Sequence, residues 1–69
     1  MGEKNNLIAG YRVMIGMSQK EIANHLKISP QSYSNKERGY RPFNDKEKSL
    51  MKELFQKVDS KLTIDDLFF

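Results

Sequence analysis

Only Lys27, Ile28 and Ser29 separate two short segments that each carry their own helix-start signal, and no other feature limits the fold of this chain as tightly. The first segment opens with Ser18-Gln19-Lys20-Glu21. A serine N-cap with glutamate three residues on forms a reciprocal box, in which each side chain satisfies a backbone N–H that the helix start leaves free. Ile22, Ala23 and Leu26 then fall on one face, so a helix over 19–26 is predicted. The second segment opens with Ser29-Pro30: serine caps well, and proline suits the first helical position, where no N–H is needed. Gly39 marks its end, which gives a helix over 30–38. A link this short forces the two helices to cross steeply, and the small side chain of Ala23 suits a close crossing.

The flanking sequence supplies three more helical segments and no convincing period-2 strand pattern. Over about 6–15, Leu7, Ile8, Tyr11, Met14 and Ile15 fall at i, i+1, i+4, i+7 and i+8, an amphipathic face that Gly16 ends. Tyr40-Arg-Pro-Phe43 reads as a loop, because Pro42 disfavours helix at Arg41. Asn44 caps a fourth helix, with Asp45 and Glu47 in its first turn to suit the helix dipole and Leu50, Met51, Leu54, Phe55 and Val58 as its buried stripe. Thr63 caps a short fifth one, with Asp66 completing a weaker box. The fold class is therefore all-α, a single domain over 1–69 with the paired helices at about 18–39 and closing helices at about 44–69. The expected core is Leu7, Ile8, Tyr11, Ile15, Ile22, Ala23, Leu26, Ile28, Tyr33, Leu50, Leu54, Phe55, Leu62, Ile64 and Leu67.

Composition excludes several alternatives. A 69-residue chain without cysteine has no disulfide or thiolate staple, so packed helices or a partner must stabilise it. No apolar run approaches the roughly 20 residues of a membrane helix, and the N-terminus lacks a signal-peptide core, so a cytoplasmic protein is expected. His25 stands without co-ligands, so no metal or other cofactor is expected. There is no acid–base pair or nucleophile–base set, so no enzyme activity is expected either. Residues 1–44 carry seven Lys or Arg against three Asp or Glu, whereas 45–69 carry five against six. The basic excess thus sits with the paired helices, as a phosphate-binding face requires.

The second of the paired helices is rich in small and amide side chains that hydrogen-bond base edges, so the pair reads as a helix-turn-helix. Such a helix enters the major groove N-terminus first, which turns Gln31, Ser32 and Asn35 outward with Ser34 at the margin. Amides pair bidentately with adenine, and serine contacts several bases. Phosphate contacts are expected from Ser29, Lys36, Arg38, Tyr40 and Arg41, the last also placed to enter the minor groove.

The order of a helix, Ser-Gln-x-Glu-Ile-Ala, a turn, Ser-x-Gln-Ser-x-Ser-Asn-x-Glu-x-Gly and two closing helices resembles the Cro/C1-type helix-turn-helix family over about residues 5–67. The resemblance implies a five-helix, lambda-repressor-like DNA-binding domain, a phage Cro-like or small stand-alone repressor acting in a bacterial or phage-infected cell. It implies that Gln19 binds a phosphate and braces the first amide of the recognition helix, and that Arg12 and Glu37 form a structural bridge between the first and third helices. The chain departs from the family pattern at two positions. Lys27 replaces a frequent turn glycine, where a left-handed backbone costs a non-glycine residue roughly 1 kcal/mol. Lys36 replaces an apolar residue, its stem covering the core while its charge reaches water or phosphate.

The terminal Leu67-Phe68-Phe69 is hard to bury in so small a domain, and exposed it would form an apolar patch for self-association, most simply as a homodimer on two DNA half-sites. The expected partner is a double-stranded DNA operator. The rival reading is a protein-interaction module, an antirepressor that binds and disables another repressor protein.

Overall fold

The structure, a computed structural model, describes residues 3–68. Among them it forms five helices and no strand: α1 (Glu3–Met14), α2 (Gln19–Leu26), α3 (Pro30–Glu37), α4 (Asp45–Phe55) and α5 (Ile64–Phe68). The fold is all-α, and no helix among the described residues is long and apolar enough to cross a membrane.

Local chemistry sets the helix ends. Ser18 and Glu21 form the full reciprocal box at the start of α2, with the Glu21 N–H donating to Ser18 Oγ at 3.0 Å and the Ser18 N–H to Glu21 Oε1 at 2.8 Å. Ser29 Oγ accepts the Ser32 N–H at 3.0 Å, and Pro30 opens α3. Asn44 and Glu47 make a second reciprocal box at α4, and Thr63 and Asp66 a third at α5. At the C-terminal ends, Gly16 (φ +77°) and Gly39 (φ +89°) take the left-handed backbone that closes α1 and α3, where the N–H groups of Met17 and Tyr40 return to the carbonyls of Arg12 and Asn35. α3 itself ends at Glu37, one residue before the predicted limit, with Arg38 as its cap. α1 begins at Glu3, three residues earlier than its apolar periodicity indicates.

α3 packs on both α2 and α1, while α5 closes the domain against α4 and α1. The core comprises Ile8, Ile22, Ala23, Leu26, Tyr33, Phe43, Met51, Leu54, Phe55, Leu62 and Leu67, with Tyr11, Ile15, Met17, Ile28, Leu50 and Phe68 packed against it. Tyr11 stacks on Phe55 at 5.5 Å between ring centroids and donates its hydroxyl to Asp59 at 2.9 Å, which raises the Tyr11 pKa and ties the loop after α4 to α1.

Several apolar expectations are overturned. Leu7 (40 % exposed) and Met14 (63 %) belong to the predicted face of α1 but lie outside the core. The inward face is instead centred on Ile8, Tyr11, Arg12 and Ile15, and Leu7 and Met14 stand roughly a quarter-turn away from it. Arg12 accounts for this rotation, because it must face α3 to meet Glu37. Val58 is also exposed, since α4 ends at Phe55 before its stripe reaches that position. Ile64 is only half-buried and outside the packed core. Conversely, Phe43, read as part of a loop, is buried against Tyr33 and Phe68 at 5.9 and 5.6 Å between centroids.

The expected terminal patch is corrected as well. Leu67 is wholly buried and therefore unavailable for self-association. Phe68 is half-buried, edge-on to Phe43 and beneath the Lys48 ammonium at 5.6 Å from the ring centroid. Phe69 lies outside the described residues.

Candidate functional site

α3 carries chemistry on two sides. Its inner side is anchored by Tyr33 and Glu37, one turn apart and both buried. Glu37 is a charged side chain in a small core, and its position depends on the donors that converge on it. Arg12 Nε donates to Glu37 Oε2 at 2.8 Å, with Nη2 more distant from Oε1 at 3.5 Å. Gln19 Nε2 donates to Oε1 at 2.8 Å, and the Tyr33 hydroxyl to Oε2 at 2.6 Å. Arg12 Nη1 also donates to the Met17 carbonyl at 2.9 Å, so the guanidinium is held between the end of α1 and the base of α3. One carboxylate thereby joins α1, α2 and α3.

The electrostatics follow from this geometry. Burial by itself pushes the Glu37 carboxyl up, but the hydrogen bonds from Arg12, Tyr33 and Gln19 outweigh it and hold the group below its ordinary value. Burial raises the Tyr33 phenol strongly, and its hydrogen bond to Glu37 adds to the shift, so the hydroxyl stays a donor. The Arg12 guanidinium is raised by its bond to Glu37. No buried side-chain nitrogen or oxygen among the described residues lacks a partner. A satisfied polar cluster of this kind fixes geometry more than it adds net stability.

A second ion pair ties the same end of α3 to α4. Lys36 Nζ lies 2.8 Å from both carboxylate oxygens of Glu47, with only 15 % of its side chain exposed. Glu47 also accepts the Asn44 N–H, so the same carboxylate caps α4 and binds α3. Lys36, whose charge was expected to reach water or phosphate, is here paired with Glu47. Gln19 likewise has a partner within the protein. It braces Glu37 rather than the amide of Gln31.

The outer side of α3 bears the remaining predicted residues. Gln31 is exposed, and Ser32, Ser34 and Asn35 are half-buried. Gln31 Nε2 donates to Asn35 Oδ1 at 3.3 Å, so the two amides meet along one face. Ser29 is exposed at the start of the helix, its oxygen committed to the cap. Arg38, Tyr40 and Arg41 are exposed just beyond the other end, Tyr40 at 72 %. His25 is exposed on α2, and among the described residues no group of His, Cys, Asp or Glu is arranged to hold a metal ion.

No family model matches this chain, and neither does any curated protein or solved structure. The reading of the site accordingly rests on its own residues. Besides the Gln19–Glu37 bond, two features went unread in the sequence: the Tyr33 hydroxyl as a partner of Glu37, and Glu47 as the acceptor for Lys36. The first has a visible signal in the i, i+4 spacing of Tyr33 and Glu37. The second joins residues on separate helices and leaves no periodic trace.

Proposed function

We propose that this protein is a sequence-specific, double-stranded-DNA-binding regulator of transcription, in which α2, the turn and α3 form a helix-turn-helix of the Cro/C1, lambda-repressor-like kind. The observation that carries this reading is the asymmetry of α3: a row of amide and hydroxyl side chains faces outward while the opposite side is bolted to α1 and α2 through Glu37. A rigid helix presenting Gln31, Ser32 and Asn35 suits reading of base edges in the major groove. Arg38 and Arg41, exposed beyond its C-terminal end, suit neutralisation of phosphates, with Tyr40 and the α3 start at Ser29 as further backbone contacts. Regulation then follows from occupancy of an operator, and two copies on adjacent half-sites would add their binding energies.

A gel shift with the duplex flanking the protein's own gene, against a scrambled duplex and across a salt series, tests the reading. Binding that depends on sequence and weakens with salt supports it, and the stoichiometry of the complex reports whether two copies bind. Equal, weak binding to both duplexes removes it. That outcome would favour a protein-interaction module acting on another repressor, a reading to which the exposed Leu7, Val13 and Met14 of α1 lend support.

A further inference from the structure

A helix on the outside of a small domain ordinarily turns its charged and polar side chains to water and its apolar ones inward. Over residues 7–14, α1 does the reverse. Arg12 reaches inward to Glu37 and the Tyr11 hydroxyl to Asp59, while the exposed positions are Leu7, Gly10, Val13 and Met14. At 3.6 residues per turn these four share about 120° of the helix circumference. No polar or charged side chain of residues 7–14 lies among them. The pull of Arg12 toward Glu37 explains why this face is turned outward. It does not explain why the face is apolar, because nothing inside the domain packs on Val13, which is 66 % exposed.

Gly10 occupies the middle of the face. Unlike Gly16 and Gly39 it has no positive φ, and a Cβ added to it would meet nothing within 4 Å. Neither backbone conformation nor internal packing therefore requires glycine, which is among the poorest residues for a helix interior. What the missing side chain does is leave the helix backbone open to close approach from outside. A matching occupant is apolar opposite Leu7, Val13 and Met14, brings no charge that the face would leave unpaired, and fits closely at Gly10.

A second copy of the same face meets all three conditions. A two-fold axis opposes one patch to itself, so a face carrying one sign of charge repels its copy, and this face carries none. We propose that α1 is a self-association surface, on which two copies of the chain pack antiparallel about an axis at Gly10. The two glycines then lie back to back, and Leu7 of each copy covers Val13 and Met14 of the other. Four residues a side fall short of the roughly 20–30 of a standard interface, so the dimer is weak and forms at high protein concentration. The contact requires no DNA, and its tests therefore stand apart from the DNA-binding reading.

The experiment is sedimentation equilibrium of the full chain up to about 1 mM, with thermal melting of dilute protein and thiol cross-linking beside it. The wild type is expected to show a monomer–dimer equilibrium. Gly10→Gln fills the gap at the axis with a better helix former, so its two effects have opposite signs. Its melting temperature in dilute protein is expected to rise by about 2–5 °C, while self-association is lost. Met14→Lys, at an exposed position, is expected to stay folded and become monomeric, because dimerisation would set an ammonium against Leu7 of the second copy. The chain has no cysteine, so an introduced one is its sole thiol. On the axis two Cβ atoms come within the roughly 3.5–4.5 Å of a disulfide. Gly10→Cys is therefore expected to cross-link under mild oxidation well before His25→Cys, which is exposed on α2. A wild type that stays monomeric throughout overturns the proposal and assigns the face to a different protein. A dimer that survives both Gly10→Gln and Met14→Lys overturns it by moving the interface elsewhere. Cross-linking of Gly10→Cys no faster than that of His25→Cys overturns the arrangement about Gly10.

Discussion

The two sides of α3 are built on opposite principles. On the inner side each polar atom is matched: Glu37 is surrounded by Arg12, Gln19 and Tyr33, and Lys36 is closed on Glu47. On the outer side Gln31 donates to Asn35, no other side-chain hydrogen bond engages either amide among the described residues, and Gln31 is exposed. The inner groups gain little from a ligand, since their donors and acceptors are already used. The outer groups contribute little to folding, since water satisfies them equally well. A small domain thus divides one eight-residue helix into a side that holds position and a side that the proposed function assigns to base contact. If the division is real, substitutions on the two sides should separate stability from DNA affinity.

The largest effect belongs to Glu37. Glu37→Gln keeps the shape but removes the charge, leaving the Arg12 guanidinium without its counter-ion. Breaking a buried pair from one side costs about 3 kcal/mol, a large part of the roughly 3–10 kcal/mol available to a domain of this length. A urea midpoint unchanged at pH 7 would break the comparison at its inner side. The pH dependence sharpens it. Because the folded state holds Glu37 below its ordinary pKa, the charge contributes fully above the unfolded carboxylate value of about 4.3. That contribution is lost as pH falls through the lower, folded value. The gap in stability between wild type and Glu37→Gln is therefore expected to narrow in acid below about pH 4. A gap that stays constant down to pH 2 would mean that the charge of Glu37 is not what the inner side depends on.

Asn35 should show the converse. Asn35→Ala removes a proposed base contact and the partner of Gln31, and is expected to weaken operator binding by about 1–3 kcal/mol, with thermal stability nearly unchanged. Affinity and melting temperature measured on the same preparation check it. A protein that melts much earlier, with unaltered affinity, would make Asn35 a structural residue and erase the distinction between the sides.

Legibility in the sequence follows a similar division between local and distant causes. The caps at Ser18, Ser29, Asn44 and Thr63 were readable because both partners lie within four residues on the chain. The stops at Gly16 and Gly39 were readable because their positive φ favours glycine. Core membership was less so. Periodicity locates an apolar stripe but not the angle at which tertiary packing clamps it, so Leu7 and Met14 were assigned inward when the demand of Arg12 for Glu37 turns them aside. Phe43 lies in a loop without periodicity, and only the arrangement of Tyr33 and Phe68 around it explains its burial. At the site, the outward row was legible from residue type and spacing. The capture of Gln19 by Glu37 and of Lys36 by Glu47 was not, because which cation or amide reaches which carboxylate depends on how the helices cross.

A smaller effect is expected at Arg41, which belongs to neither side and extends past the end of α3. Arg41→Ala should reduce affinity similarly for all duplex sequences and lower the slope of log affinity against log salt by about 1. Titrations at several salt concentrations with operator and scrambled duplex read both quantities. A loss confined to the operator would transfer Arg41 from phosphate to base recognition, and the reading surface would then extend beyond the outer face of α3.

The smallest predicted change tests whether the two sides are independent of the turn that presents them. Lys27 has φ +63° and ψ +39°, the left-handed conformation, at the point where the chain leaves α2. The strain arises from its Cβ and is tolerated because the Lys27 and Ile28 N–H groups close α2 onto the carbonyls of Asn24 and Ala23. Asparagine adopts this conformation more readily and, unlike glycine, does not add much freedom to the unfolded chain. Lys27→Asn is therefore expected to stabilise the protein by about 0.5 kcal/mol, or roughly 2–4 °C in melting temperature. Operator affinity compared with wild type at high salt, where the lost charge counts least, should stay the same. Higher stability with the same affinity means that the inner side and the turn only hold α3 in place. A change in base preference would mean that strain at Lys27 sets the angle at which α3 presents Gln31 and Asn35, and reading could then not be assigned to the outer face alone.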